Sequence, residues 1–206
     1  MIVIVDYGVG NLRSILSKFE RMKIEASISD RADDIKQADK LVLPGIGHFG
    51  AGMTNLINSG LIPLLEDRVL GRKTPLLGIC LGMQMLMNGS EESPVPGLGW
   101  VPGVTRKFVF PEKSRDFRVP HMGWNTFMPE NPSPLLTDIA PDARFYFAHS
   151  YFVTPDDPGI AVATTWYGSP FTSMLQQENL YGAQFHPEKS HQAGLQIIRN
   201  FALYCA

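Results

Sequence analysis

Cysteine is scarce in this chain: Cys80 and Cys205 are the only two among 206 residues. That is too few for a disulfide scaffold. An excess of one charge is also missing. Lys and Arg total 18, Asp and Glu total 20, and the formal net charge is -2. Without basic runs, this balance argues against general nucleic-acid or anionic-membrane binding. No window approaches the roughly 20 uninterrupted apolar residues of a membrane span. Met1 to Asp6 lacks the basic n-region of a signal peptide. The expectation is a soluble, cytoplasmic protein. His48, His121, His149 and His191 have no metal-ligand spacing with one another or with Cys80, so no metal is expected. Hydrophobic residues make up 44% of the chain, enough for a real core. No linker or internal repeat interrupts the sequence, and residues 1–206 read as a single domain.

The first half alternates short apolar runs with amphipathic stretches. Ile2–Val5, Ile24–Ile28, Lys40–Leu43 and Pro75–Ile79 read as strands, the third stopped by Pro44-Gly45. Helices are expected over Asn11–Met22 with Asn11 as N-cap, over Arg31–Ala38, over Asn55–Leu70 with a break near Gly60 and Pro63, and from Leu81 to Met87. Strand-helix alternation predicts an α/β fold with a central, mostly parallel sheet flanked by helices. Its strand ends would gather Asp6–Asn11, Pro44–Gly50 and Gly78–Gly82 on one edge. The second half adds an antiparallel region. Strands are expected at 104–109, 124–128, 144–147, 151–154, 160–165, 172–176 and 180–185, before a helix over Ala193–Tyr204.

Gly78-Ile79-Cys80-Leu81-Gly82 carries the chemistry. A strand runs into a cysteine with glycines two residues to either side, and a helix follows. This is the spacing of a nucleophile elbow with sulfur in place of oxygen. A sharp strand-to-helix turn strains the nucleophile's backbone and needs small neighbours. The helix start favours the thiolate, and the Leu81 N–H could bind an oxyanion. Without that setting, a buried structural cysteine would be the better reading. Gln184-Phe185-His186-Pro187-Glu188 supplies an imidazole and a carboxylate, the base and the orienting acid that a thiol needs. Taken alone, His186 and Glu188 would better be read as a surface histidine and a helix-capping acid; paired with Cys80, that reading becomes the lesser one. Pro44-Gly45-Ile46-Gly47 could supply a second oxyanion donor or be a plain turn. Gly8-Val9-Gly10 is no dinucleotide fingerprint, because its third glycine would fall at Arg13.

Together these motifs resemble the triad, or class I, glutamine amidotransferases. Asp6-Tyr7-Gly8-Val9-Gly10-Asn11-Leu12, Leu43-Pro44-Gly45-Ile46-Gly47, Ser90-Glu91-Glu92, Pro120-His121-Met122-Gly123-Trp124-Asn125 and Tyr146-Phe147-Ala148-His149-Ser150-Tyr151 narrow the resemblance. It is to the glutaminase subunits of imidazole glycerol phosphate synthase, in histidine biosynthesis. The resemblance implies Cys80 as nucleophile, His186 as base and acid, and Glu188 as its orienter. It implies an oxyanion hole from Gly45, Ile46, Gly47 and Leu81. Gln84, Glu92, Ser150 and Tyr151 would hold the glutamine amino and carboxylate groups. Asn11, His121, Met122, Trp124, Tyr146 and Lys189 would face a (β/α)8-barrel cyclase subunit that receives ammonia, in a heterodimer. No cofactor is implied. A paralogue that feeds amidine formation on a surface-polysaccharide sugar would carry the same motifs. An unrelated cysteine hydrolase would share the elbow and triad. A non-catalytic subunit that kept the fold is disfavoured by the intact Cys80, His186 and Glu188.

Overall fold

A computed structural model describes residues 1–111 and 117–205. Its first half runs β1 (Ile2–Val5), α1 (Leu12–Arg21), β2 (Ala26–Ser29), α2 (Ala32–Gln37), β3 (Lys40–Gly45), α3 (Phe49–Asn58), α4 (Ile62–Glu66), β4 (Leu76–Cys80) and α5 (Leu81–Met85). The second half runs β5 (Gly89–Ser90), β6 (Gly103–Lys107), β7 (His121–Asn125), β8 (Met128–Pro129), β9 (Phe145–His149), β10 (Tyr151–Pro155), β11 (Ala161–Trp166), β12 (Pro170–Gln177), β13 (Leu180–Ala183) and α6 (His191–Tyr204).

An eight-stranded sheet in the order β2-β1-β3-β4-β13-β12-β11-β8 joins the two halves. The strands from β2 to β13 pair in parallel. From β13 outward the pairing is antiparallel. Both faces are covered, as a parallel sheet requires. Alternate residues of one strand therefore enter different cores. Val3, Val5, Leu41 and Leu43 pack with Phe49, Met53, Leu56 and Leu65 on one face. Ile2, Ile4 and Val42 pack with Ile15, Phe19, Ile197 and Phe201 on the other. Each such buried side chain contributes about 1.5–3 kcal/mol of transfer free energy. A three-stranded sheet, β10-β6-β5, and the antiparallel pair β7-β9 stand beside the main sheet.

The alternation expected from the sequence is present, with local corrections. Asn11 sits at the start of α1, but its side chain makes no capping bond; its carbonyl accepts from Ser14 and Ile15 instead. Strand β3 does not stop at Pro44-Gly45 but runs through them, pairing Pro44 with Ile79 and Gly45 with Cys80. Pairing of β3 with β1 ends at Val42. The Pro44 carbonyl on that side accepts from the Tyr7 hydroxyl at 2.6 Å, so the proline interrupts no ladder there. The helix expected from Asn55 begins at Phe49, because Gly50 and Gly52 are packing positions. A Cβ on Gly50 would lie 2.4 Å from Ser93 Oγ, and one on Gly52 2.8 Å from Leu81 Cδ2. The break at Gly60 is present at φ +69. The strand expected at 124–128 divides into β7 and β8. Asn125 Oδ1 takes the Thr126 N–H at 2.9 Å and removes it from the ladder.

Candidate active site

Cys80 ends β4 and opens α5, at φ 53 and ψ -107. Few residues with a Cβ hold that conformation, so the turn stores strain at the sulfur-bearing position. The flanking glycines are what permit it. A Cβ on Gly78 would lie 2.8 Å from the Met83 backbone, and one on Gly82 1.8 Å from the Leu43 carbonyl oxygen. Gly45 is equally confined, with Leu81 Cβ and the Tyr7 hydroxyl each 2.8 Å from its missing Cβ. Gly47 needs its glycine for the backbone, at φ +93. The turns after β1, β3 and β4 thus meet at one rim.

His186 arrives from the far side of β4. Gln184 N–H still bonds the Ser173 carbonyl beyond the end of β13. His186 N–H then donates to Tyr146 of β9 at 2.9 Å. Ser190 fastens the loop: its hydroxyl donates to the His186 carbonyl at 2.6 Å and accepts from Tyr146 N–H at 2.9 Å. His186 Nδ1 meets Glu188 Oε1 at 2.9 Å, both side chains buried. Burial opposes charge on the ring, but hydrogen bonds to Cys80 and Glu188 and their negative charges outweigh it. The His186 pKa rises to about 10. The His186 ring is therefore held in its protonated form beside the Cys80 sulfur.

Sulfur, imidazole and the Leu81 turn open on a cavity of about 330 Å³, at the lower end of the range for small-ligand sites. Ile46, Gly47, Gln84, Glu92, Ser150 and Tyr151 border it as well, so these expected oxyanion and substrate residues converge; Gly45 does not line the cavity but pairs with Cys80 in the sheet. Gln84 Nε2 is already committed, at 2.8 Å to the Tyr151 carbonyl and 3.1 Å to Gln184 Oε1. Glu92 Oε2 accepts the Phe49 N–H at the start of α3 at 2.7 Å.

The expected partner-facing residues divide. Met122 and Lys189 line the same cavity. Lys189 Nζ lies 5.8 Å from the centre of the Tyr146 ring, and Trp124 meets Tyr146 edge-on at 5.8 Å. Asn11 is exposed at the start of α1. His121 departs from that surface, being 3% exposed and stacked between Tyr167 and Phe147. Cys205 takes no part: it is buried at the end of α6, where burial pushes its pKa to about 12.

Sequence reasoning gave Gln184, Tyr7, Ser190 and His149 no role. Gln184 Nε2 points at the Cys80 sulfur from 3.7 Å. Strand periodicity places it on the face of His186, two residues on, and that signal could have found it.

The fold and this site bring the sulfur of Cys80, the imidazole of His186 and the carboxylate of Glu188 together at the carboxyl edge of an open α/β sheet, the arrangement of a cysteine-dependent hydrolase. The family model for class-I glutamine amidotransferases matches residues 3–205, and the chain belongs to that family. A relative from Pseudomonas aeruginosa, imidazole glycerol phosphate synthase subunit HisH 2, is 46% identical over 98% of both chains. The HisH subunit of Bdellovibrio bacteriovorus is 44% identical over 98% of this chain and 99% of its own. Among solved structures, a glutamine amidotransferase shares the fold at TM-score 0.73 and 18% identity, covering 98% of this chain and 99% of its own. A chain of PurLQS from Thermotoga maritima does so at TM-score 0.71 and 18% identity, over 98% of this chain and 96% of its own.

Proposed function

We propose that this chain is the glutaminase subunit of imidazole glycerol phosphate synthase, a single cytoplasmic domain that hydrolyses glutamine and passes the ammonia to a separate synthase subunit. The observation that carries the chemistry is Cys80 at φ 53, facing an imidazole that Glu188 holds at 2.9 Å. The relatives of nearly equal length named as HisH subunits support the choice of pathway.

The Cys80 thiolate attacks the side-chain carbonyl carbon of glutamine. The oxyanion sits between the Leu81 N–H and the Gly45–Gly47 backbone, donors worth about 3 kcal/mol each. His186 gives its proton to the amide nitrogen, the C–N bond breaks, and ammonia leaves a glutamyl thioester. The now neutral imidazole takes a proton from water, whose oxygen attacks the thioester. Glutamate departs, and the thiolate–imidazolium pair is restored. Glu92 and Gln84 Oε1 receive the substrate's ammonium, while Ser150 and Tyr151 receive its carboxylate. The acceptor reaction belongs to a (β/α)8-barrel cyclase subunit, docked over Met122, Trp124, Tyr146, Lys189 and Asn11. In that complex ammonia, imidazole glycerol phosphate and the aminoimidazole carboxamide nucleotide AICAR belong to one reaction.

The test is glutamine turnover by the purified complex. Cys80→Ala should abolish glutamine-dependent synthesis, leave assembly intact and spare synthesis from added ammonium. Full glutamine turnover by Cys80→Ala would end the proposal. A second reading keeps the half-reaction and changes the acceptor to a surface-polysaccharide sugar. Co-purification with one barrel subunit rather than the other decides between them.

A further inference from the structure

A continuous chain of hydrogen bonds leads from the Cys80 sulfur to β7, and its direction is set at both ends by backbone carbonyls. At the near end, Gln84 Nε2 lies 2.8 Å from the Tyr151 carbonyl, which can only accept. The Gln84 amide is therefore oriented with its NH2 inward. The same NH2 donates to Gln184 Oε1 at 3.1 Å. This orients Gln184 in turn, so that its NH2 faces the Cys80 sulfur at 3.7 Å. Gln184 is wholly buried, and a buried amide keeps the orientation that satisfies it.

The far end is fixed independently. Asn125 Nδ2 donates to the Trp166 carbonyl at 3.0 Å, so its NH2 also faces His121 Nε2, at 3.4 Å. His121 must then carry its proton on Nδ1, which lies 3.2 Å from His149 Nε2. His149 must carry its own on Nδ1, 2.8 Å from the same Tyr151 carbonyl. Both ends thus demand one pair of tautomers, and a chain reversed at any link would set donor against donor. Burial keeps both rings neutral, holding His149 at about 3 and His121 at about 4, as this arrangement requires.

We propose that this chain is a positioning relay: it holds the Gln184 N–H on the nucleophilic sulfur and, through the His149–His121 pair, ties that contact to β7, the strand that bears Met122 and Trp124. Gln184 supplies the thiolate with a donor besides His186. The two histidines, which the cleavage steps do not use, brace the Tyr151 carbonyl on which the Gln84 amide is hung. A displacement of β7 would reach the sulfur through these bonds.

The inference rests on Cys80 being the nucleophile of the proposed reaction, and the experiment separates the two. Alkylation by iodoacetamide reads the sulfur whether or not glutamine is the substrate. Gln184→Met keeps the length and removes the donor. Its Cys80 alkylation rate on the acid limb of the pH profile, where the thiolate is only partly formed, and its kcat should each fall about tenfold, the scale of one hydrogen bond to a charged group, with KM within about twofold. Gln184→Glu should fall further, because a carboxylate offers the sulfur no donor. His121→Phe keeps the ring stack and deletes a link. It should slow alkylation less than Gln184→Met and add nothing on top of it in the double variant. Wild-type alkylation and kcat in folded Gln184→Met, or additive losses in the double variant, would overturn the relay while leaving the glutaminase reading intact. A third measurement needs no variant. Long-range nitrogen-15 spectra of the wild-type chain should show His149 and His121 neutral and protonated on Nδ1 between about pH 5 and 8. An Nε2–H tautomer at either ring would overturn the proposal.

Discussion

Gly82 is packed so closely on Leu43 that a Cβ there would lie 1.8 Å from the Leu43 carbonyl oxygen. The obstacle is backbone at the centre of the sheet, which cannot give way as a flexible side chain would. Gly82→Ala should destabilise the chain by about 3 kcal/mol or more and remove glutamine turnover. Among the described residues, nothing lies within 4 Å of the missing Cβ of Gly89, so Gly89→Ala serves as control, with a change under about 1 kcal/mol. Urea unfolding measures both. Equal stabilities would contradict the close packing that shapes the elbow.

The strain at Cys80 can be read the same way. At φ 53 and ψ -107 any Cβ is disfavoured, whereas glycine is not. Cys80→Gly should therefore be more stable than Cys80→Ala by about 1 kcal/mol, although glycine usually loses such comparisons. Both variants should be inactive. Thermal unfolding in which Cys80→Ala is the more stable would show that the turn holds no strain.

The elbow at Cys80 and its glycines were legible because they obey a local rule: a tight strand-to-helix turn writes its steric needs into residues two positions away. The parallel half of the fold was legible because both of its faces are buried, so each strand is a plain apolar run. The start of α3 was hidden by Gly50 and Gly52, whose low helix propensity is overridden by contacts with Ser93 and Leu81, distant in sequence. His121 was misplaced for a related reason. It alternates with Met122 along β7, and which neighbour faces inward depends on Phe147 and Tyr167, which no local pattern reveals. Gln184 was legible as part of a motif but not as a donor, since its partner Gln84 is 100 positions away.

The buried histidines set a pH optimum for stability. Burial lowers His149 to about 3 and His121 to about 4, while in the unfolded chain each titrates near 6.5. Below about pH 6.5 the unfolded state binds more protons, so stability falls as the pH drops towards 4, by up to about 1.4 kcal/mol per pH unit for each ring. His186 acts in the opposite sense. Its pKa is raised to about 10, so its contribution is complete below about pH 6.5 and is lost as the pH climbs through 10. Urea unfolding should thus give the greatest stability near about pH 6.5. The acid slope should flatten by about one proton in His121→Phe. An unchanged acid slope in that variant would refute the assignment.

Glu188 offers His186 one oxygen and keeps the other, Oε2, buried with no hydrogen-bond partner among the described residues. That half-satisfied carboxylate is costly to bury, and its return is the charge it sets against the imidazolium. Glu188→Gln retains an oxygen for His186 Nδ1–H but removes the charge and leaves an amide NH2 in the place of Oε2. The ring should stay in position while its preference for the protonated form weakens. The His186 pKa should then fall from about 10 towards the ordinary value near 6.5, as read by NMR titration. The kcat for glutamine should drop about a hundredfold or more, with little change in KM, since the lost interaction matters most when the ring carries a proton. If Glu188→Gln raises KM instead and leaves kcat within about twofold, the carboxylate belongs to substrate binding rather than to the triad.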